Sequence, residues 1–304
     1  MIIAIDHGNR QIKGLGYEPF TSGFVESESQ PFGNDVLKYK NRYYQLSEQR
    51  IPYHRDKSTD EKFFILTLFG IAKEIEAAGA YHTGVIPVQL AVGLPPAYYG
   101  AQKQAFNDYF TRRGAVTFSF HRKTFHIMFS EVMCFPQSYA AAVTIFQELK
   151  NIPRALIVDV GGYTTDYLQI RNGVGDLTVC DSLEWGVIPL YNKAISKVRA
   201  EYDLTISEAE MDAVLMGKPA ELPESVAGVV GALAQEYITN LMDKLREHQI
   251  ELKAGRIIFA GGGALLLRKQ IERSGKVNRP IFVEDISANA RGYALLYELS
   301  HKGR

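Results

Sequence analysis

Apolar residues change their spacing along this chain in ways that separate strands from helices. Ile2, Ile3, Ala4 and Ile5 form a short β-rich run that stops at Asp6-His7-Gly8, and Ile12, Leu15 and Tyr17 resume it, so the spacing predicts an opening hairpin. Residues 18–58 are polar, with turn punctuation at Gly33-Asn34-Asp35 and Ile51-Pro52. They read as a small insertion holding one strand pair, around residues 37–39 and 43–46. Ser58-Thr59-Asp60-Glu61 offers capping oxygens ahead of Phe64, Leu68, Ile71, Ile75 and Ala78, and this helical spacing predicts a helix ending at Gly79. A buried strand over 88–94 is halted by Pro95-Pro96. An amphipathic helix from Ala97 to about Arg113, strand-rich sequence from Val116 to Val132, and a helix from Gln137 to about Lys150 follow.

From Arg154 the opening pattern returns. Residues 155–158 read as a buried strand, Gly161-Gly162 as a turn, and residues 166–170 as a returning strand closed by Asn172-Gly173. Helices are expected after Trp185-Gly186-Val187, from about Ser207 to Met216, and along Leu233, Tyr237, Leu241 and Leu245. The last strand-to-helix unit runs from residues 257–260 through Gly261-Gly262-Gly263 to a helix ending near Ser274. A strand at 280–283 and a helix from Ala288 to about Leu299 close the chain.

Three glycine-marked turns therefore follow apolar strands: Asp6 to Lys13, Asp159 to Asp166, and Ala260 to Ala264. Such a turn lets backbone N–H groups point into one space, which cradles an anion without net positive charge. Asp6 and Asp159 each end a strand directly before a turn, where a carboxylate can hold Mg²⁺ through water; Asp159, like Asp166, has the alternative of accepting turn amides. Lys13 adds a point charge and Thr164 a hydroxyl for phosphate. The three consecutive glycines leave no side chain between the backbone and a flat ligand. No G-x-x-x-x-G-K-[ST] loop occurs, and no G-x-G-x-x-G lies between a first strand and a helix.

Composition narrows the classes further. The 304 residues, 46% of them hydrophobic, suffice for about two domains. Lys+Arg 34 balance Asp+Glu 34, which removes the usual electrostatic route to nucleic acid, so no direct DNA contact is expected. No apolar run reaches membrane-span length and Met1 to Asp6 does not read as a signal peptide, so a cytoplasmic protein with no membrane contact is expected. Cys134 and Cys180 make neither a disulfide framework nor a zinc cage and read as buried small apolar residues. His121, Arg122, Lys123 and His126 read as a solvated basic face.

The three turns in this order resemble the actin-like ATPase superfamily, which spans actin, bacterial filament proteins, chaperone ATPases and sugar kinases. The first turn resembles its phosphate-1 loop, Asp159 to Asp166 its D-x-G-G-x-T-x-D phosphate-2 loop, and Gly261-Gly262-Gly263 its adenosine loop. Phe135 to Ala141 and Ser287 to Tyr293 look like the two connecting helices. Within the superfamily, residues 63–74, 93–100 and 288–293 are most similar to ParM-like plasmid-segregation actins; the resemblance is weakest over 18–58 and 205–250. It implies an α/β actin-like two-lobed ATPase fold, built from duplicated RNase H-like domains with an interlobe nucleotide cleft. Lobe I would comprise residues 1–150, with the insertion at 18–58 and the C-terminal helix 288–304, and lobe II residues 151–287.

By the same resemblance, ATP and Mg²⁺ would be bound by Gly8, Asn9, Arg10, Lys13, Gly161, Gly162, Tyr163, Thr164, Gly261, Gly262 and Gly263. Asp6 and Asp159 would serve the metal and catalysis, and GTP in place of ATP stays open. Gln137 holds the position of the catalytic polar residue, where some relatives carry Glu. A glutamine orients water but takes no proton from it; Glu131 is the alternative. His7 stands where small or acidic residues are common, either touching phosphate or packing beside the loop. The implied activity is ATP hydrolysis coupled to head-to-tail filament assembly, with DNA reached through a ParR-type adaptor. A non-polymerising small-molecule kinase and an ATP-switch scaffold are the other readings of the same fold.

Overall fold

The computed structural model describes residues 1–302. In chain order its first half comprises β1 (Ile2–Ala4), β2 (Asp6–His7), β3 (Gln11–Lys13), β4 (Phe20–Thr21), β5 (Phe24–Ser27), β6 (Val36–Tyr39), β7 (Arg42–Leu46), α1 (Glu61–Ala77), β8 (Val85–Leu94), α2 (Pro96–Thr111), β9 (Ala115–Phe120), β10 (Lys123–Pro136), α3 (Tyr139–Val143) and α4 (Phe146–Leu149). The second comprises β11 (Arg154–Val160), β12 (Thr165–Arg171), β13 (Val174–Leu183), α5 (Val187–Tyr202), α6 (Glu208–Met216), α7 (Glu224–Glu247), β14 (Arg256–Ala260), α8 (Gly262–Leu266), α9 (Arg268–Arg273), β15 (Ile281–Phe282) and α10 (Ala288–Lys302). Two compact units result: residues 1–144 with the segment from Ser287 onward, and residues 145–286.

The first unit is built on a seven-stranded sheet in the order β1-β8-β10-β9-β6-β7-β5, beside a three-stranded sheet β2-β3-β4. Strands β1, β8 and β10 run parallel, and β8 is buried over most of its length because helices cover it. Helix α1 starts where the Asp60 side chain accepts from Lys62 N, and its unbroken apolar run from Phe63 to Leu66 is buried. Within residues 18–58, strands β5, β6 and β7 prove to be part of the main sheet, and β4 joins the three-stranded one. Strand β6 pairs with β9, placing Leu37 opposite Phe120, and β5, absent from the sequence reading, completes the edge. Tyr44 packs into this core, 5.3 Å from the Phe24 ring.

The helix expected from Gln137 is also corrected. Strand β10 stays paired with β8 through Pro136, past a register shift between Phe129 and Glu131, the chain turns at Ser138 with φ 63°, and only then does α3 begin; the helix breaks again before α4. A proline at the end of a ladder costs no interior hydrogen bond, so Pro136 does not force a helix start. The basic residues at the β9–β10 turn are exposed, but His121 bridges Asp35 and Glu76 at 2.9 and 2.8 Å and Lys123 pairs with Glu76.

The second unit carries the sheet β13-β12-β11-β14-β15. Strand β11 lies centrally, antiparallel to β12 and parallel to β14, and all its residues after Arg154 are buried. The half-exposed edge strand β13 escaped the sequence reading because its polar residues mimic a loop. Helices α5, α6 and α7 bury Leu190, Met211, Leu233 and Leu241 in one core. Both units thus contain a strand, a glycine turn and an antiparallel return, with Asp6 opposite Lys13 in one and Asp159 opposite Asp166 in the other. Cys134 is buried, whereas Cys180 is only half-buried. Among the described residues no helix is long and apolar enough to cross a membrane.

Candidate functional site

In the first unit Asp6 is the meeting point. It ends the buried run that begins with β1 and is itself 3% exposed. Lys13, opposite it across the turn, brings its ammonium to 3.7 Å from Asp6 Oδ2, and Gln137, just beyond β10, donates from Nε2 to Asp6 Oδ1 at 2.9 Å. A carboxylate can only accept here, so the Gln137 amide nitrogen faces Asp6 and its Oε1 is the accepting end. That polarity suits holding a water by one of its O–H groups. Gly8 is required by space: a Cβ would lie 2.6 Å from the Gln11 carbonyl oxygen. Asn9 and Arg10 complete the turn, half-exposed, and the Arg10 carbonyl is tied to Ser22 N at 3.0 Å.

His7 packs behind the loop. Its ring is fully buried, 5.9 Å from the Phe106 and Phe110 rings, with Nε2 2.7 Å from Thr67 Oγ1. Burial, with the Lys57 charge adding to it, pushes its pKa down to about 3, so the imidazole is neutral and offers phosphate no charge. Glu131 is engaged elsewhere: it accepts from the Tyr297 hydroxyl and lies 3.0 Å from His301 Nε2 on α10. The structure brings Gln137, and not Glu131, to Asp6. A residue that sequence reasoning missed is Lys57, 5% exposed, whose ammonium donates to the His7 carbonyl. One lysine in a polar stretch carries no sequence signal of burial.

In the second unit the Asp159–Asp166 turn and the triple glycine meet. Gly161 N donates to the Thr164 carbonyl at 2.8 Å, closing the turn, and Thr164 Oγ1 lies 3.4 Å from Asp166 Oδ2, while Asp166 also accepts from Ser182. Asp159 is 6% exposed and stands against Gly261, where φ is +84° and a Cβ would fall 2.2 Å from Asp159 Oδ1. Gly263 is equally confined, with the Val160 carbonyl oxygen 2.7 Å from any Cβ. Gly262 faces open space, with no atom within 4 Å of its Cβ position. Gly162 and Tyr163 lie half-buried against the start of α5, where Val187 N and Ile188 N donate to the carbonyls of Gly161 and Gly162 at 3.1 and 2.9 Å. Gly261→Ala is therefore expected to cost about 2–3 kcal/mol of stability through left-handed strain and overpacking, and Gly262→Ala less than about 1 kcal/mol, compared by urea unfolding.

Asn289 Oδ1 accepts from Ser138 N at 3.0 Å, and α3 crosses α10 so closely that a Cβ on Gly292 would sit 1.9 Å from the Ala140 carbonyl oxygen. Gly93 similarly admits the Tyr293 ring. A groove of about 550 Å³ between α5 and α7, lined by Lys197, Tyr202, Val229 and Leu233, contains none of the candidate residues. No cluster of three His, Cys, Asp or Glu among the described residues is arranged to hold a metal. A divalent ion held by Asp6 or Asp159 would accordingly rest on water and ligand oxygens for the rest of its shell, as Mg²⁺ commonly does.

Residues 4–139 match the family described as the N-terminal domain of actin-like proteins, and residues 157–273 match the archaeal actin homologue MreB-like C-terminal family. Whole-chain likeness to solved structures agrees. An archaeal actin homolog in complex with ADP has TM-score 0.72 at 18% identity, covering 98% of this chain and 99% of that one. The ParM of a 15-stranded Clostridium botulinum filament has TM-score 0.74 at 20% identity, with 98% and 99% covered. The actin-like protein Alp7A has TM-score 0.75 at 15% identity, with 100% and 99% covered. No curated protein sequence matches the chain. The fold is thus the two-lobed actin-like fold. Two family matches, one over each half, and the whole-chain likeness agree on that fold.

Proposed function

We propose that this actin-like protein binds a nucleoside triphosphate with Mg²⁺ and hydrolyses it, and that it assembles head to tail into filaments governed by nucleotide state. ATP is the nucleotide of this reading, with GTP the alternative. The carrying observation is the pair of glycine turns, each backed by a buried aspartate, with Asp6 bonded to Gln137 and Asp159 set against the Gly261 backbone. Backbone amides of residues 8–10 and 161–164 would hold phosphate oxygens, and Lys13 would add charge. Mg²⁺ would neutralise phosphate charge, held by Asp6 and Asp159 through water. Gln137 Oε1 would orient the attacking water, which a carboxamide does without accepting its proton. The open space over Gly262 would accept the base.

The filament reading is supported by likeness to a ParM that forms a 15-stranded filament, and zero formal charge opposes self-association little. Segregation of plasmid or other mobile-element DNA through a ParR-type adaptor is the cellular role that goes with it, in the cytoplasm. The test is right-angle light scattering recorded together with phosphate release after adding Mg-ATP, with Mg-ADP as control. Scattering that needs ATP and decays as phosphate appears supports the proposal; hydrolysis with flat scattering favours a kinase or switch, and silence in both channels removes the nucleotide site. Gln137→Ala is expected to slow single-turnover hydrolysis on the order of a hundredfold with ATP affinity kept within about threefold. Loss of binding instead would make Gln137 structural.

A further inference from the structure

Lys57 is a charged group that the reading above leaves unused. It lies in a single 3₁₀ turn, Lys57–Thr59, capped by Asp56, whose Oδ1 accepts from Ser58 N at 2.9 Å. Its ammonium is buried, stands 5.6 Å from the centre of the Phe63 ring, and donates to the carbonyl of His7, the residue immediately before Gly8. Burying an ammonium is costly and is tolerated where fixed acceptors meet it. Here a fixed acceptor belongs to the peptide that enters the first glycine turn. The neighbouring imidazole is neutral, so Lys57, not His7, supplies positive charge on this inner side.

The geometry points to Lys57 as a positioning residue that locks the His7–Gly8 peptide so that the Gly8 N–H is aimed at a bound phosphoryl group. The described chain has no cis peptide bond, and in a trans peptide the N–H points opposite to the C=O. Holding the His7 carbonyl against Lys57 therefore turns the Gly8 N–H to the other side, away from the interior. A cation on the carbonyl also polarises the same peptide and makes its N–H a stronger donor to an anion. Gly8 is the residue for this position because any side chain would strike the Gln11 carbonyl. A neutral residue at 57 would leave the peptide free to tilt and its amide less polarised. The inference rests on the nucleotide reading and assigns to residues 18–58 a part in the binding turn.

The test compares wild type with Lys57→Met and Lys57→Arg, using calorimetric titration with Mg-ADP and thermal melting. Tyr109→Phe, which removes a buried hydroxyl bonded to Asp60 O and Phe64 N, serves as a control for general destabilisation of the same unit. Lys57→Met is expected to weaken Mg-ADP about tenfold, Lys57→Arg about threefold or less, and Tyr109→Phe not at all. Wild type labelled with ¹⁵N-glycine is expected to show the Gly8 amide proton moving downfield on adding Mg-ADP, which keeps the test decisive should Lys57→Met not fold. Unchanged affinity in folded Lys57→Met, equal weakening in Tyr109→Phe, or an unmoved Gly8 amide overturns the inference while leaving nucleotide binding intact. Absence of Mg-ADP binding by wild type overturns both.

Discussion

Gly186→Ala is expected to destabilise the second unit by about 3–5 kcal/mol and to lower its melting temperature by roughly 10 °C. The cause is contact, not backbone conformation. Gly186 has φ −106° and ψ 175°, ordinary extended values that alanine adopts freely. A Cβ there, however, would stand 2.3 Å from the Gly162 carbonyl oxygen and 2.4 Å from the carbonyl carbons of Gly162 and Tyr163. All three are backbone atoms, so no side-chain rotation relieves the clash. The turn would have to move by more than an ångström, and the bonds from Val187 N and Ile188 N that staple it to α5 would stretch or break. Two such bonds contribute about 1 kcal/mol each, and overpacking adds roughly 1–3 kcal/mol. The same movement would displace the amides of the Asp159–Asp166 turn, so under the proposed nucleotide function Mg-ADP affinity should fall with stability. Melting followed by the fluorescence of Trp185, the single tryptophan, reads this unit; a shift below about 2 °C would sink the account.

What the sequence disclosed was mostly what glycine and capping residues announce. Gly8, Gly261 and Gly263 mark turns legibly because each lies against a carbonyl that excludes a side chain, and Asp60 marks the start of α1 because its side chain satisfies a helix amide. Strands β8, β11 and β14 were readable as apolar runs because both faces are covered. Legibility failed where burial is partial or the partner is remote. Strands β5 and β13 are sheet edges whose exposed residues are polar, so period-two alternation is faint. Pro136 suggests the helix expected over 137–150, but pairing with β8 carries the strand on to Pro136, a long-range term that local propensity does not contain. In the candidate site, the aspartates were found from their place before glycine, whereas the bond between Gln137 and Asp6 joins residues 131 apart and was reachable only through family resemblance. Lys57 was illegible, since its role depends on which carbonyl the fold brings to it.

Acidification should destabilise the first unit through His7. Its folded pKa of about 3 lies below the ordinary histidine value of 6.5, so between these values the unfolded chain binds a proton that the native state refuses. A depressed folded pKa contributes stability that is fully present above pH 6.5 and is lost as pH falls toward 3. Each unit in that window costs about 1.4 kcal/mol, which is about 2 kcal/mol by pH 5 and roughly 4–5 kcal/mol over the whole window. The dominant cause is burial of the ring between Phe106 and Phe110, and the Lys57 ammonium adds repulsion for a second positive charge. His7→Leu removes the titration and keeps an apolar body of similar size. It also forfeits the bond to Thr67, at about 1 kcal/mol, while Thr67 Oγ1 keeps its bond to the Phe63 carbonyl. Because the variant also removes the unpartnered buried Nδ1, the expected signal is the slope: wild type should lose about 2 kcal/mol relative to His7→Leu between pH 7.5 and pH 5 in urea unfolding followed by circular dichroism. Parallel profiles would mean that the imidazole is protonated in the folded protein, or that it is exposed, and either would contradict the packing described for the first turn.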